Sequence, residues 1–176
     1  VLTREPGGTP IGDQIRKVVL HPAHKAMTPT CELLLYAAAR AQHIEQVIRP
    51  AIQEGRLVLC DRFTDATRAY QGSGRGLPIN LIERLHALEV LSLRPDRTLL
   101  FDLDAATALE RARDRDHTKS ADETRFEQEN LAFHQRVRDA YLDLARRETD
   151  RIVVVDASGS PAEVQARVLA KVETFL

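Results

Sequence analysis

Short apolar runs separated by stretches with helical spacing set the fold of this chain. Leu57-Val58-Leu59-Cys60 and Ile152-Val153-Val154-Val155 are apolar at every position, and Thr98 to Leu103 is nearly as apolar. A strand with no polar face has none to give to water, so such runs read as strands buried on both faces. Val1-Leu2-Thr3 looks like the end of another strand already under way, which suggests a start within the domain. Between the runs, Ile11, Ile15 and Val18 or Val19 mark a helix from about Pro10 to Leu20. Thr28 caps a long helix with Pro29 in its first turn and Leu34, Ala37, Ala41, Ile44 and Ile48 on its buried face. Pro50 kinks its end and Gly55 stops it. Leu81, Leu85 and Leu88 mark a further helix, and Asp104 caps one running to about Arg113. A helix over about Phe126 to Arg147 and a last one opened by the capping box Ser160-Pro161-Ala162-Glu163 complete the order. Strands alternating with helices predict an α/β fold, a parallel sheet covered by helices on both faces.

At 176 residues with no repeat and no Pro/Gly/Ser-rich linker, residues 1–176 read as one domain. A formal net charge of −1 gives no bulk attraction to nucleic acid or an anionic membrane, so an anion site must come from locally clustered arginines. The apolar runs fall well short of the roughly 20 residues that cross a bilayer. Cys31 and Cys60 form neither a metal-like spacing nor a disulfide framework, which fits a reducing, cytoplasmic setting. His21 and His24 have no nearby ligand set, so zinc is not expected.

The chemistry concentrates in Asp61-Arg62-Phe63 and the glycine-rich loop that follows, directly after an apolar run. Open α/β sheets bind ligands at the carboxyl ends of their strands, and a carboxylate beside a guanidinium suits a metal-bound phosphate. Arg62 can grip two phosphate oxygens at once or form a structural ion pair with Asp61 or Glu5. Asp61 can serve a metal or simply cap the next turn. Arg4 and Glu5 precede Pro6-Gly7-Gly8, a loop whose glycines allow close backbone approach to a ligand or merely join strand to helix. Tyr36 and Arg40, four apart, project from one side of a helix, as do Thr67 and Gln71, and in each case ordinary packing is the alternative.

In order and spacing, Thr3-Arg4-Glu5-Pro6-Gly7-Gly8, Tyr36-Ala37-Ala38-Ala39-Arg40, Asp61-Arg62-Phe63, Ala69-Tyr70-Gln71-Gly72 and Arg125-Phe126-Glu127-Gln128-Glu129 resemble the bacterial thymidylate kinases over essentially the whole chain. The resemblance implies a P-loop-kinase-like three-layer sandwich, a homodimer, and phosphoryl transfer from MgATP to dTMP giving dTDP and ADP. It implies that Arg62 contacts the dTMP phosphate, that Asp61 and Glu5 stand near Mg²⁺, directly or through water, and that Arg4 and Arg16 lie at the acceptor nucleotide. It implies further that Tyr36 stacks on thymine, Arg40 bonds a base carbonyl, Thr67 and Gln71 read the base edge and Tyr70 stands near the deoxyribose. Residues 111–125 would be the lid, carrying Arg111, Arg113, Arg115 and Lys119, with Arg125 at its far end. The charged stretch from Asp114 to Thr124 is the expected mobile flap, although a solvated, salt-bridged surface fits it as well.

One feature of the family is not in the sequence: no Gly-x-x-x-x-Gly-Lys-Ser/Thr segment is present to cradle ATP phosphates. The expectation is therefore an N-terminally incomplete kinase domain, lacking the first strand and P-loop, whose 176 residues are inactive or weakly active. Two other readings stay open, a non-catalytic nucleotide-binding or dimerising remnant and another nucleoside or nucleotide kinase of the same superfamily.

Overall fold

The computed structural model describes residues 1–116 and 123–173, the side chains of residues 113–116 excepted. Strand β1 (Leu2–Arg4) leads through a glycine-containing loop into α1 (Pro10–Leu20) and α2 (Pro29–His43). The hydroxyl of Thr9 accepts from Gly12 N at 2.9 Å and that of Thr28 from Cys31 N at 3.3 Å, so each helix begins on a capped amide. A five-residue π-helical stretch, Ile44–Ile48, then joins α2 to α3 (Arg49–Gln53), where Pro50 sits in the first turn. Gly55 ends this rod with φ of 70°, a conformation open to glycine.

Strand β2 (Leu59–Asp61) follows, then α4 (Thr64–Thr67), a second π-helical stretch (Arg68–Gly74), α5 (Ile79–His86) and a short 3₁₀ turn (Glu89–Leu91). The chain ends with β3 (Thr98–Asp102), α6 (Ala105–Asp116), α7 (Leu131–Arg147), β4 (Ile152–Asp156) and α8 (Pro161–Val172). β1 pairs with β2 in parallel, Leu2 opposite Leu59 and Arg4 opposite Asp61. β3 pairs with β4 in parallel, Thr98 opposite Ile152 and Asp102 opposite Asp156. Among the described residues these form two separate two-stranded sheets.

The strands are less covered than their apolar character predicts. β2 starts two residues later than expected, and Leu57 and Leu59 remain 75% and 58% exposed. Phe101 of β3 is also exposed. Each strand has a ladder partner on one side only among the described residues, so the other edge of each has no neighbouring strand to shield its side chains.

The helices follow the expected phase in part. On α2 the buried stripe runs through Glu32, Leu33, Ala37, Arg40 and His43, while Leu34 is exposed. Of the expected stripe, Ala37, Ile44 and Ile48 are buried and Ala41 is half-buried, so only Leu34 falls outside it, and what apolar residues alone do not reveal is the burial of the polar Glu32, Arg40 and His43. On α5 the buried residues are Ile82 and His86, Leu85 is half-buried and Leu81 is exposed, while Leu88 lies beyond the helix and is exposed. α6 runs to Asp116 and α7 starts at Leu131, capped by the Asn130 carboxamide at 2.9 Å. Phe126, expected inside that helix, instead precedes it and packs in a core with Val19, Leu20, Ala69, Phe133 and Val137. No helix among the described residues is long and apolar enough to cross a membrane.

Candidate functional site

Parallel pairing brings the carboxyl ends of β1 and β2 side by side, and Glu5 N donates to the Asp61 carbonyl at 2.9 Å. The chain then turns sharply. Arg62 has φ of 67°, the only positive value outside glycine among the described residues, and Cys60 Sγ donates to its carbonyl at 3.0 Å. A left-handed arginine costs on the order of 1–3 kcal/mol and persists only where surrounding structure imposes it, commonly at a ligand site. Its guanidinium lies 5.2 Å from the centre of the Tyr70 ring.

Helix α2 supplies the opposite wall. Arg40 is 2% exposed, and its guanidinium is almost fully committed. Nε donates to Glu5 Oε2 at 2.7 Å and NH2 to Thr67 Oγ1 at 2.9 Å, while NH1 lies 3.3 Å from His86 Nε2. The other Glu5 oxygen faces His43 Nδ1 at 3.1 Å, and His43 Nε2 lies 2.7 Å from Thr3 Oγ1. A proton on Nδ1 serves the carboxylate and leaves Nε2 to accept from the Thr3 hydroxyl. Gly8 is required beneath this ring, since a Cβ there would stand 2.7 Å from His43 Nε2 at a φ of +80°.

Glu5, Tyr36, Arg40, Arg62, Tyr70 and Gln71 line one cleft, together with Phe63 and Ala66. Phe63 carries the Arg40 guanidinium 5.2 Å from its ring centre. Sequence reasoning did not assign Phe63, although its place beside Asp61-Arg62 was the available signal. Burial raises the pKa of the Tyr36 phenol above its ordinary value against the opposing charge of Arg62, so its hydroxyl stays a neutral donor. Aromatic walls over a floor holding two guanidiniums suit a flat, uncharged ring joined to an anion.

Other expected residues are held elsewhere. Thr67 is buried and accepts from Arg40, so it supports the cleft without lining it. Arg16 grips Glu123 through Nε at 3.1 Å and NH2 at 2.8 Å, and its NH1 donates to the Pro6 carbonyl. Arg4 stands 3.8 Å from Asp13 on the surface. Arg111 donates to the carbonyls of Ala157 and Gly159 and thereby ties α6 to the loop before α8. Arg113 and Arg115 fall on α6 with side chains outside the described set, and Lys119 lies outside the described residues. Arg125, at the end of the expected flap, is buried, with Nε on the Val19 carbonyl and NH2 2.6 Å from Glu32 Oε2.

The carboxylates differ in what they can offer a metal. Both Glu5 oxygens are taken by cationic or N–H donors, which argues against a place in a Mg²⁺ shell. Asp61 is exposed and fits the single carboxylate with which Mg²⁺ is often held beside substrate phosphates. Among the described residues no group of three His, Cys, Asp or Glu side chains could hold a metal by itself. A second hollow of about 170 Å³, lined by Thr64, Arg68, Glu83, His86 and Arg94 among others, contains none of the expected site residues.

The profile of the thymidylate kinase family matches residues 1–168. Thymidylate kinase from Trichlorobacter lovleyi is 55% identical over 169 residues, covering 96% of this chain and 80% of that protein. Thymidylate kinase from Syntrophotalea carbinolica is 54% identical, covering 96% and 78%. The crystal structure of thymidylate kinase from Ehrlichia chaffeensis superposes with a TM-score of 0.75 at 30% identity, covering 98% of this chain and 79% of that one. The α/β arrangement is thus that of a P-loop kinase, and the chain belongs to the thymidylate kinase family.

Proposed function

We propose that the cleft binds dTMP and that the protein transfers a phosphoryl group to it from ATP, giving dTDP and ADP. The observation that carries this reading is the cleft at the ends of β1 and β2, in which Arg62, held left-handed, faces Tyr36, Arg40 and Gln71. In it Arg62 takes the acceptor phosphate, Tyr36 and Phe63 flank the base, Arg40 and Gln71 meet its polar edge and Tyr70 stands by the sugar. Thr67 acts through Arg40. The role of Glu5 shifts from metal to floor, since its carboxylate fixes the Arg40 guanidinium.

Asp61 is the residue assigned to hold Mg²⁺, which would supply neutralisation of phosphate charge there. No covalent intermediate is needed, because positioning and charge stabilisation supply the rate in this chemistry. Residues 1–176 are read as one kinase domain with 111–125 as its lid, in which Arg113 and Arg115 meet charge on the transferred group. Arg4 and Arg16 are assigned to the rim of the acceptor site, and Arg111 to the loop it holds. A homodimer in the cytoplasm completes the reading, supported by exposed apolar side chains on α1 and α2, Ile11, Val18 and Leu34, and by two free cysteines.

Titration calorimetry with dTMP and thymidine tests the acceptor site. In Arg62→Ala, dTMP affinity is expected to fall by about tenfold or more while thymidine affinity barely changes, since a hydrogen-bonded charge pair is lost only with the phosphate. An equal loss for both ligands, or binding of neither by the unaltered protein, would overturn the reading. Release of ADP in a coupled assay, with dTMP compared with dUMP and dCMP, tests the transfer itself in a form of the protein that also carries a Gly-x-x-x-x-Gly-Lys-Ser/Thr segment, whereas residues 1–176, in which that segment is not present, are expected to turn over little or not at all.

A further inference from the structure

Glu32 is a fully buried carboxylate in the first turn of α2, and sequence reasoning gave it no role. Removing such a group from water is costly unless every lone pair is engaged. Here they are engaged from three directions. Gln71 Nε2 donates to Oε1 at 2.7 Å, Arg125 NH2 to Oε2 at 2.6 Å, and Arg75 lies across both oxygens with Nε 3.2 Å from each.

Both Glu32 oxygens receive guanidinium N–H donors, and a carboxylate held between two guanidiniums serves as a hydrogen-bond acceptor. The Gln71 amide therefore has one permitted orientation, NH2 toward Glu32. Its Oε1 occupies the other branch of the amide and makes no hydrogen bond among the described residues. Gln71 itself lines the cleft. A free glutamine can flip to offer either a donor or an acceptor, whereas this one is restricted to presenting its acceptor.

We propose that Glu32 is a positioning residue for base selection, locking Gln71 so that the cleft accepts a hydrogen bond from the base and cannot donate one through that amide. The inference rests on the reading of the cleft as the dTMP site. A thymine or uracil ring carries N–H at N3, between two carbonyls, and matches a fixed acceptor. Cytosine carries a bare nitrogen at N3, so two acceptors would face each other without a proton. Rejection of a ligand that leaves buried polar groups unpaired is the stronger form of discrimination.

Calorimetry with dTMP and dCMP on the unaltered chain, Glu32→Gln, Glu32→Asp and Gln71→Met separates the possibilities without requiring turnover. Glu32→Gln removes the charge that forbids the flip, and the ratio of dCMP to dTMP dissociation constants is expected to narrow by about tenfold or more. Adding Glu32→Gln to Gln71→Met should change the ratio no further. Glu32→Asp keeps a charge for the arginines but draws the acceptor back by one methylene, and should narrow the ratio in the same direction. It decides the question if Glu32→Gln does not fold. A folded Glu32 variant that melts lower but keeps the original ratio makes Glu32 a structural residue only and overturns the proposal. If Gln71→Met leaves the ratio unchanged, Gln71 does not read the base and that part of the acceptor-site reading fails. A changed ratio in Gln71→Met with none in either Glu32 variant sinks the locking alone.

Discussion

Arginines and carboxylates are used differently around α2 and around the β3–β4 pair. Around α2 the ions are buried: the Arg40 and Glu5 side chains are 2% and 3% exposed, and Glu32 and Arg125 are 1% and 5%. Around β3 and β4 the outer pairs meet water, as in the Arg138 pair with Asp102, 31% and 23% exposed, and the Arg94 pair with Glu148, whereas the Arg151 pair with Asp65 beside Thr98 is mostly covered, at 12% and 7%. Buried ions are retained at a desolvation cost that their attraction barely offsets, so they are weak evidence for stability as such. What they do provide is fixed direction. A guanidinium already bonded to Glu5 and Thr67 presents its remaining face to the cleft in one orientation, and no reorganisation is needed when a ligand arrives.

Arg40→Met gives the largest expected effect, because it strands Glu5 in the interior with only His43 beside it. Breaking a buried pair from one side costs about 3–5 kcal/mol, and dTMP binding should be lost with it. Urea denaturation of the single variant and of Glu5→Leu/Arg40→Met then sharpens the comparison. The double variant should recover most of the stability and none of the binding. If it recovers neither, the pair is a source of stability after all and the contrast between the two regions is wrong.

Acidification probes the same region through His86. Burial first, and then the charges of Arg40 and Arg68, lower its pKa to about 4 from an ordinary 6.5. The unfolded chain therefore binds this proton before the folded one does. The stabilising preference for neutral imidazole is complete above about pH 6.5 and is lost as the pH falls toward 4, a change of roughly 3 kcal/mol. The protonated ring would also confront the Arg40 guanidinium that its Nε2 now faces. His86→Gln should flatten the stability profile between those pH values relative to the unaltered protein. Parallel profiles would show that His86 is not the responsible group.

Local features were legible in the sequence and long-range ones were not. Thr28, Asp104 and the Ser160–Glu163 box were readable as caps because cap and amide lie within three residues of each other. The motif residues Tyr36, Arg40, Arg62, Tyr70 and Gln71 were readable through the family resemblance, and they do line one cleft. Glu32 was not, because a glutamate in the first turn of a helix looks like an ordinary surface residue favouring the helix dipole. Its burial depends on partners 39, 43 and 93 positions away, which no local pattern encodes. Arg111 shows the same limit from another side: a charge in a basic stretch suggested chemistry, and its bonds in the folded chain to two carbonyls 46 and 48 positions on were not readable from that stretch. Only the second half of the Leu57–Cys60 run lies in β2, and its cover depends on what packs beside the strand, which lies outside its own sequence.

The smallest effect belongs to the β3–β4 side, and it tests the comparison from below. Arg94 NH2 reaches Glu148 Oε2 at 2.8 Å, a distance as short as many of those around α2. Length alone would rank the two classes together. Arg94 is 57% exposed, however, and its removal leaves Glu148 in contact both with water and with Arg151 Nε at 2.7 Å. Arg151 meanwhile keeps both of its other bonds to Asp65, whose buried carboxylate they hold below the usual range against the opposing pull of desolvation. Nothing is stranded when Arg94 goes, so Arg94→Ala should cost less than about 1 kcal/mol and leave dTMP affinity unchanged. The urea midpoint at low and high salt measures it, and the small difference should shrink further as salt screens the exposed pair. A loss approaching that of Arg40→Met would mean that bond length, not burial of the partner left behind, sets what these ion pairs contribute.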